Sequence, residues 1–192
     1  GSPGERVNTL LVKPWSAVRL INIGYDAGDG GSDAIEYVAD QDVSSVNGLQ
    51  IIAPYLAQWC SSYNDLTSLD FSNFTNLDTI ECYLSQTLTH VKLENTPKLK
   101  RVCFEDCNLA ELDLSGSPNL GDLRGASNEY TTITFGSIGS KLWHICVHDN
   151  PITNRALFSD MTPFPNLAEF IIWADNQTGN LKIPATRCCT QS

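Results

Sequence analysis

The fold of this chain is decided by a nine-residue pattern that returns at nearly equal intervals. It is complete at 77–85 (LDTIECYLS), 99–107 (LKRVCFEDC), 120–128 (LGDLRGASN), 142–150 (LWHICVHDN) and 167–175 (LAEFIIWAD). Apolar or small residues occupy positions 1, 4 and 6 of each copy, so a step of three is followed by alternation. A helix would repeat its apolar residues at steps of three and four, whereas alternation indicates a strand. Each copy therefore predicts one short strand.

Shorter apolar triplets lie between these copies, at 66–71 (LTSLDF), 88–93 (LTHVKL), 109–114 (LAELDL) and 130–135 (YTTITF). From Leu66 to Leu142 successive triplets begin 10 to 12 residues apart, which gives a full repeat of 21–22 residues. A unit this short cannot bury its apolar face alone and must stack on its neighbours. The spacing predicts an α/β or mainly β solenoid: a right-handed stack with a parallel sheet, short strands or extended segments on the opposite side, and few helices.

The ninth position of the pattern is short and mostly polar, since it holds Ser85, Cys107, Asn128, Asn150 and Asp175. A short polar side chain at a turn can hydrogen-bond the nearby backbone groups. Because the copies stack, we expect these residues to form a ladder that stabilises the turn after each strand.

The pattern also indicates the domain organisation, with the solenoid at 66–183 and a tail at 184–192. Residues 1–65 are expected to form an N-terminal cap with degenerate repeats, because a solenoid must cover the apolar end of its first coil. Within the cap, 15–23 and 49–57 fit the pattern loosely, and 34–39 has helical character.

Two features concern the end of the array. The last step between triplets is 25 residues, and the extra segment Thr153–Met161 predicts a short helix, with Thr153 able to cap it and Pro163 closing it. No C-terminal cap is evident before Ser192, so we expect the array to continue beyond this sequence.

The repeats resemble those of the leucine-rich repeat family, in particular the short-repeat secreted or surface proteins of gut bacteria, with internalin-like proteins as more distant relatives. The segments 66–77 (LTSLDFSNFTNL) and 109–120 (LAELDLSGSPNL) carry this resemblance. It covers about residues 66–183 and implies an extracellular or cell-surface binding protein. The resemblance names no partner, because one scaffold serves many functions.

Composition narrows the classes of partner. The chain has 192 residues, of which 42% are hydrophobic, and its net charge is −10, from 12 basic and 22 acidic residues. This hydrophobic content is too high for a disordered chain. Nucleic acid is not an expected partner, since phosphate binding requires a basic surface. A membrane span is not expected either, because no apolar run approaches about 20 residues.

The binding surface should be the outer face of the parallel sheet, where positions 3, 5 and 7 of each strand point away from the core. We expect these positions to bind a protein partner rigidly, through Tyr83, Arg101, Glu105, Arg124, His144, His148 and Trp173. Two alternatives stay open. One is a carbohydrate-binding module that uses Trp143, Tyr83 and Trp173 as platforms, and the other is a structural spacer with no ligand of its own.

The seven cysteines are interpreted as packing residues, not as a disulfide framework. Cys82 should point into the core. Cys103 and Cys146 should share an exposed column two strands apart, about 9.6 Å, which is too far for a disulfide. Cys188 and Cys189 are either free or paired with a segment outside this sequence.

Catalysis and cofactors are not expected. His144, Cys146 and His148 are three zinc-ligand types on one strand, but the two histidines are widely spaced for one ion. A nucleophilic Cys146 would need a cleft, which a regular ladder does not supply.

Calcium is the remaining ion for which the sequence offers ligands. The segment 26–33 (DAGDGGSD) contains the carboxylates of Asp26, Asp29 and Asp33. Their spacing matches none of the standard calcium loops, so an acidic loop is the default interpretation.

Overall fold

The structure is a computed structural model that describes residues 19–24, 34–37, 46, 48–136, 141–152 and 163–172. This part of the chain forms a parallel β-solenoid of about five turns, which confirms the predicted fold class. Its helical content within those residues is a single 3-10 helix, Leu49–Ile52.

The nine-residue copies form one large parallel sheet. Its strands are β1 (Leu20–Gly24), β2 (Ala34–Tyr37), β3 (Gln58–Ser62), β5 (Thr79–Tyr83), β7 (Arg101–Glu105), β9 (Asp122–Arg124), β11 (His144–Cys146) and β12 (Glu169–Ile171). Their spatial order is β2-β1-β3-β5-β7-β9-β11-β12, so each coil from β3 onward adds one strand beside the last. All of these pairings are parallel, as the stacking of coils requires.

The shorter triplets form strands on the opposite side, as the sequence predicts. These strands are β4 (Ser68–Asp70), β6 (His90–Lys92), β8 (Glu111–Asp113) and β10 (Thr132–Thr134). They pair in parallel as β4 with β6 and β8 with β10, which gives two separate two-stranded sheets.

The core lies between the two sides and is built from the repeated apolar positions. Position 1 contributes a column of leucines that are fully buried, comprising Leu77, Leu99, Leu120 and Leu142. At the N-terminal end the column meets aromatic rings, with Trp59 and Phe74 both packed edge-on against Phe71 at centroid distances of 5.6 and 5.4 Å. Each such side chain contributes about 1.5–3 kcal/mol by burial, so the repeated column is the main source of stability.

The ninth-position ladder is confirmed at its asparagines. The side-chain amide of Asn150 donates to the carbonyl oxygens of Gly125 (2.8 Å), Val147 (3.1 Å) and His148 (3.0 Å). Its Oδ1 accepts the backbone N–H of Tyr130 at 3.0 Å. One side chain thus satisfies backbone groups of its own turn and of the coil before it.

The residue before the ladder position adopts the left-handed backbone conformation in the five coils where that position is described. These eighth-position residues are Tyr63, Leu84, Asp106, Ser127 and Asp149, with φ between 52° and 57°. The conformation is unfavourable for residues with a Cβ. It persists because the next side chain and the neighbouring coil hold the turn; for example, Leu84 N–H donates to Glu105 O at 3.0 Å.

Two sequence predictions for the N-terminal region are wrong. Residues 34–37 form strand β2 beside β1, where helical character was expected over 34–39. The repeat placed at 49–57 contains the 3-10 helix instead, and the actual strand begins at Gln58. The pattern there starts at Leu56 and continues through Trp59, but polar Ser61 at position 6 obscures it. The sheet therefore extends into the region assigned to the cap.

Candidate functional site

The outer face of the large sheet, termed here the sheet face, consists of positions 3, 5 and 7 of its strands. The backbone register aligns the third-position residues as predicted, in the order Thr79, Arg101, Asp122, His144 and Glu169. The fifth-position residues align likewise, as Glu81, Cys103, Arg124, Cys146 and Ile171.

The sheet face is less exposed than the sequence suggests. Cys103 is completely buried, and Cys146, Asp122 and His144 are buried as well. None of these side chains belongs to the apolar core cluster. They therefore point away from the core, as alternation predicts. The neighbours of Cys103 on the adjacent strands, about 4.8 Å away, include the larger side chains Glu81 and Arg124. The prediction of an exposed column at Cys103 and Cys146 is therefore wrong, and so is that of an accessible His144.

Buried Asp122 is the centre of a charged network on this face. Its Oδ1 lies 3.3 Å from Arg124 Nε and 2.5 Å from His144 Nδ1. Its Oδ2 lies 3.6 Å from Arg101 Nε, a distance for an ion pair but too long for a hydrogen bond. The hydrogen bond from Arg124 to Asp122 raises the pKa of that guanidinium. Asp122 therefore holds both arginines in place.

The network continues along the stack in both directions. Arg101 Nη2 contacts Glu81 Oε1 at 3.2 Å on one side. On the other side His144 Nε2 lies 3.7 Å from Glu169 Oε2. Because an ionised carboxylate is acceptor-only, the Nδ1–H of His144 donates to Asp122. Acidic and basic side chains thus alternate across five strands.

Tyr83 and Cys103 form a second contact on the sheet face. The Tyr83 hydroxyl donates to the Cys103 thiol, and burial followed by Glu105 are the largest causes that raise the pKa of Cys103 to about 12. Burial also raises the pKa of Tyr83. The pair is consequently neutral at physiological pH, and we expect the Tyr83 ring to act as a lid on the buried thiol.

This lid predicts a difference in thiol reactivity. With a pKa of about 12, Cys103 is about one part in ten thousand thiolate at pH 8, and the thiolate is the reactive species. We expect Cys103 to resist alkylation in the folded protein, and Tyr83→Ala to raise its rate by about 10- to 100-fold. Mass spectrometry of iodoacetamide-treated peptides measures this. Cys82 belongs to the buried core and not to the sheet face, so it serves as the control. Unchanged labelling of Cys103 in the variant would contradict the lid.

The remaining predicted contact residues occupy different environments. Glu105 and His148 are half-buried on the sheet face, and His148 Nδ1 pairs with Asp149 at 2.7 Å. Trp173 lies outside the described residues. Trp143 is 47% exposed but precedes the first residue of β11, so it does not share a surface with Tyr83 at the end of β5.

The zinc hypothesis is not supported by the geometry. Among the residues that the structure describes, no group of three His, Cys, Asp or Glu side chains could hold a metal ion. His144 and His148 are each paired with a different aspartate, at 2.5 and 2.7 Å. Burial raises the pKa of Cys146, which opposes its use as a nucleophile. The calcium candidates at 26–33 and the expected helix at 153–161 lie outside the described residues.

The cysteine interpretation is confirmed only in part, since Cys82 lies in the core and Cys107 in the ladder, whereas Cys103 and Cys146 are not exposed. Cys60, Cys82, Cys103, Cys107 and Cys146 are all free thiols. Cys107 fills its place in the ladder, with its Sγ 3.6 Å from Cys82 O, and burial raises its pKa to about 11. Cys188 and Cys189 lie outside the described residues.

Sequence reasoning missed one surface, formed where the chain enters each strand of the large sheet. A groove of about 710 Å³ lies there and is lined by four basic residues, Arg19, Lys98, Lys100 and Lys141. A signal was present, because Lys98 and Lys141 both directly precede the first leucine of a repeat. These lysines lie outside positions 3, 5 and 7, which were the positions expected to form the binding surface.

Comparisons of the chain with protein-family models, with curated proteins and with solved structures found no match. In the described part of the chain, none of the helical structure has the length and apolar character to cross a membrane. The functional conclusion therefore depends on the surface alone.

Proposed function

We propose that this chain is a non-enzymatic, leucine-rich-repeat-like binding domain of a secreted or cell-surface bacterial protein, and that the sheet face binds a protein partner. The observation that carries the proposal is the pair of arginines held by one buried carboxylate. Arg101 and Arg124 both reach Asp122, yet their side chains remain 36% and 37% exposed. Fixed, partly exposed arginines are typical anchors of protein interfaces.

The mechanism is rigid display. A free arginine loses considerable side-chain entropy when a partner immobilises it. Here the network around Asp122 has already restricted both guanidiniums, and the solenoid fixes the backbone beneath them. Binding a partner therefore costs little additional entropy in these side chains or in the backbone beneath them.

The structure changes which side chains are assigned to contact. Tyr83, Arg101, Glu105, Arg124 and His148 retain accessible surface and form the proposed contact set. His144 is buried and instead orients Asp122 from the opposite side. We assign it a positioning role, while Trp173 stays a prediction.

Site-specific cross-linking tests the proposal. A photo-reactive phenylalanine replaces Glu105 on the sheet face, or Glu111 on strand β8 as the matched control on the opposite side. We expect a single covalent adduct with a protein from the natural host's surface fraction, formed from position 105 and absent from position 111. Adducts of equal yield from both positions, or from neither, would contradict a specific face and favour a spacer.

The identified partner then allows a quantitative test. Arg124→Ala is expected to weaken its binding by about 30-fold, since anchors of this kind contribute about 2 kcal/mol. Lys92→Ala removes an equal charge from exposed strand β6 and should leave binding unchanged. If both variants bind the partner with equal affinity, Arg124 does not contribute to the interface.

A further inference from the structure

A second surface runs along the amino-terminal ends of the strands of the large sheet; we term it the entry edge. Two columns line it, one on each side of the first leucine of every repeat. The preceding column reads Tyr55, Asn76, Lys98, Asn119, Lys141 and Asn166, and the following column reads Ala57, Asp78, Lys100, Gly121, Trp143 and Ala168. Backbone hydrogen bonds align the second column, since Lys100 N–H donates to Asp78 O and Gly121 N–H donates to Lys100 O, both at 2.9 Å.

The entry edge concentrates positive charge in an acidic protein. Four of the seven lysines and arginines in the described residues line its groove, namely Arg19, Lys98, Lys100 and Lys141, although the chain has a net charge of −10. Within the described ranges, Lys98, Lys100 and Lys141 make no ion pair with a carboxylate. Such cations attract an anionic ligand.

The spacing of the charges favours a linear, repeating anion. Lys98 and Lys141 occupy equivalent positions two coils apart, or roughly 9–10 Å for strands about 4.8 Å apart. The coil between them presents Asn119 at the same position. A ligand that follows these residues crosses the ends of the strands, where its main chain cannot pair with a strand as a peptide does in β-augmentation.

Trp143 adds an aromatic platform to the entry edge. It is 47% exposed, and its indole lies against Gly121, where an added Cβ would be only 3.0 Å from Trp143 Cδ1. Its ring centroid is 5.5 Å from that of buried His144, which supports it from the sheet side. The platform follows Lys141 by two residues, and both the indole and the Lys141 carbonyl lie near Gly121.

The groove also offers hydrogen-bond acceptors. Asp78 Oδ1 is buried within it and has no hydrogen-bond partner. Because Asp78 as a whole is only half-buried, its carboxylate can accept a hydrogen bond from a ligand hydroxyl. A polymer with anionic groups, hydroxyls and apolar ring faces matches the lysines, the Asp78 carboxylate and the Trp143 ring, respectively.

We propose that the entry edge binds an acidic polysaccharide. Its carboxylate or sulfate groups pair with Lys98, Lys100 and Lys141, one sugar ring stacks on Trp143, and a hydroxyl donates to Asp78. This site lies outside the sheet face, so its ligand is separate from the protein partner proposed above.

Affinity electrophoresis through gels containing polygalacturonate tests the proposal. We expect the protein to be retarded by polygalacturonate and not by neutral dextran, with less retardation as salt is raised. Lys100→Gln should weaken binding roughly two- to fivefold, whereas Lys92→Gln, which makes the same change on strand β6, should not weaken it. Trp143→Ala should cost on the order of tenfold. Tyr63→Ala is the control for Trp143→Ala. Tyr63 is also an exposed aromatic (40%), but it lies near the other end of the strands.

Three outcomes decide between ligand classes, with melting temperatures measured for every variant. Stronger retardation by dextran sulfate, lost in the same variants, supports the site and assigns sulfate as the anion. Binding of poly-glutamate that is as tight and unaffected by Trp143→Ala overturns the polysaccharide in favour of an acidic peptide. The absence of retardation by every polyanion overturns the proposal altogether. Cross-linking from Glu105 is unaffected by these results.

Discussion

The substitution Asn128→Asp is expected to lower the free energy of unfolding by about 3 kcal/mol or more, although it changes a single atom of a side chain. Asn128 is 5% exposed, and its amide donates to Phe104 O and, at 3.1 Å, to Ala126 O. Its Oδ1 accepts Leu109 N–H at 3.1 Å. An aspartate keeps the acceptor but places a second oxygen against carbonyl oxygens, which then lack a donor.

The effect of Asn128→Asp should depend on pH. Burial and the nearby carbonyls favour the neutral acid, so the pKa of the new carboxyl rises in the folded state above its unfolded value. The destabilisation is then complete above the folded pKa and shrinks as pH falls through it. Chemical denaturation at pH 7.5 and 5 measures both quantities.

A matched control for this variant exists in the adjacent turn. Asn108 is exposed and directly follows the ladder residue Cys107 of the preceding coil, so Asn108→Asp introduces the same charge outside the ladder. We expect it to change stability by less than about 0.5 kcal/mol. Equal losses from the two variants would mean that charge, and not the ladder, is responsible.

The substitution Gly116→Ala is expected to cost about 2–4 kcal/mol. A Cβ at this position would lie 2.4 Å from Leu93 O and 2.8 Å from Asn95 N, which are backbone atoms of the preceding coil. Backbone cannot rotate away as a flexible side chain can, so the two coils must separate locally. That separation also disturbs the hydrogen bond from Thr96 N–H to Gly116 O, 2.9 Å long.

Thermal and urea denaturation measure the effect of Gly116→Ala, and Ser115→Ala is the neighbouring control. Ser115 is exposed, and its backbone N–H rather than its hydroxyl bonds Asp113. For a chain of this size, the expected loss corresponds to a melting temperature lower by roughly 4–16 °C. A glycine variant as stable as the control would show that the coils do not approach as closely as described.

The regular features of the fold could be read from the sequence because they repeat. Leu77, Leu99, Leu120 and Leu142 recur at one position, and each copy strengthens the interpretation of the others. Where the repeat is imperfect, the predicted position of the strand was wrong. Polar Ser61 takes an apolar position, because its hydroxyl accepts the indole N–H of buried Trp59 at 2.9 Å, and the strand at 58–62 was missed.

The candidate site could be predicted in outline but not in its burial. Alternation correctly directs Arg101, Asp122 and His144 to one face. Whether a side chain on that face is accessible depends on the sizes of its neighbours on adjacent strands, which lie 21 to 25 residues away in sequence. That is why His144 is a buried support and not a contact residue.

The sequence by itself therefore determined the solenoid, its opposing short strands and the asparagine ladder. Each of these is local to one repeat and is reproduced by every copy. Only the tertiary structure decided that Asp122 organises two arginines, that Tyr83 hydrogen-bonds the buried Cys103, and that separate lysines line one groove. These features arise between coils, where side chains from different repeats meet, and no pattern within a single repeat records which residues will be neighbours.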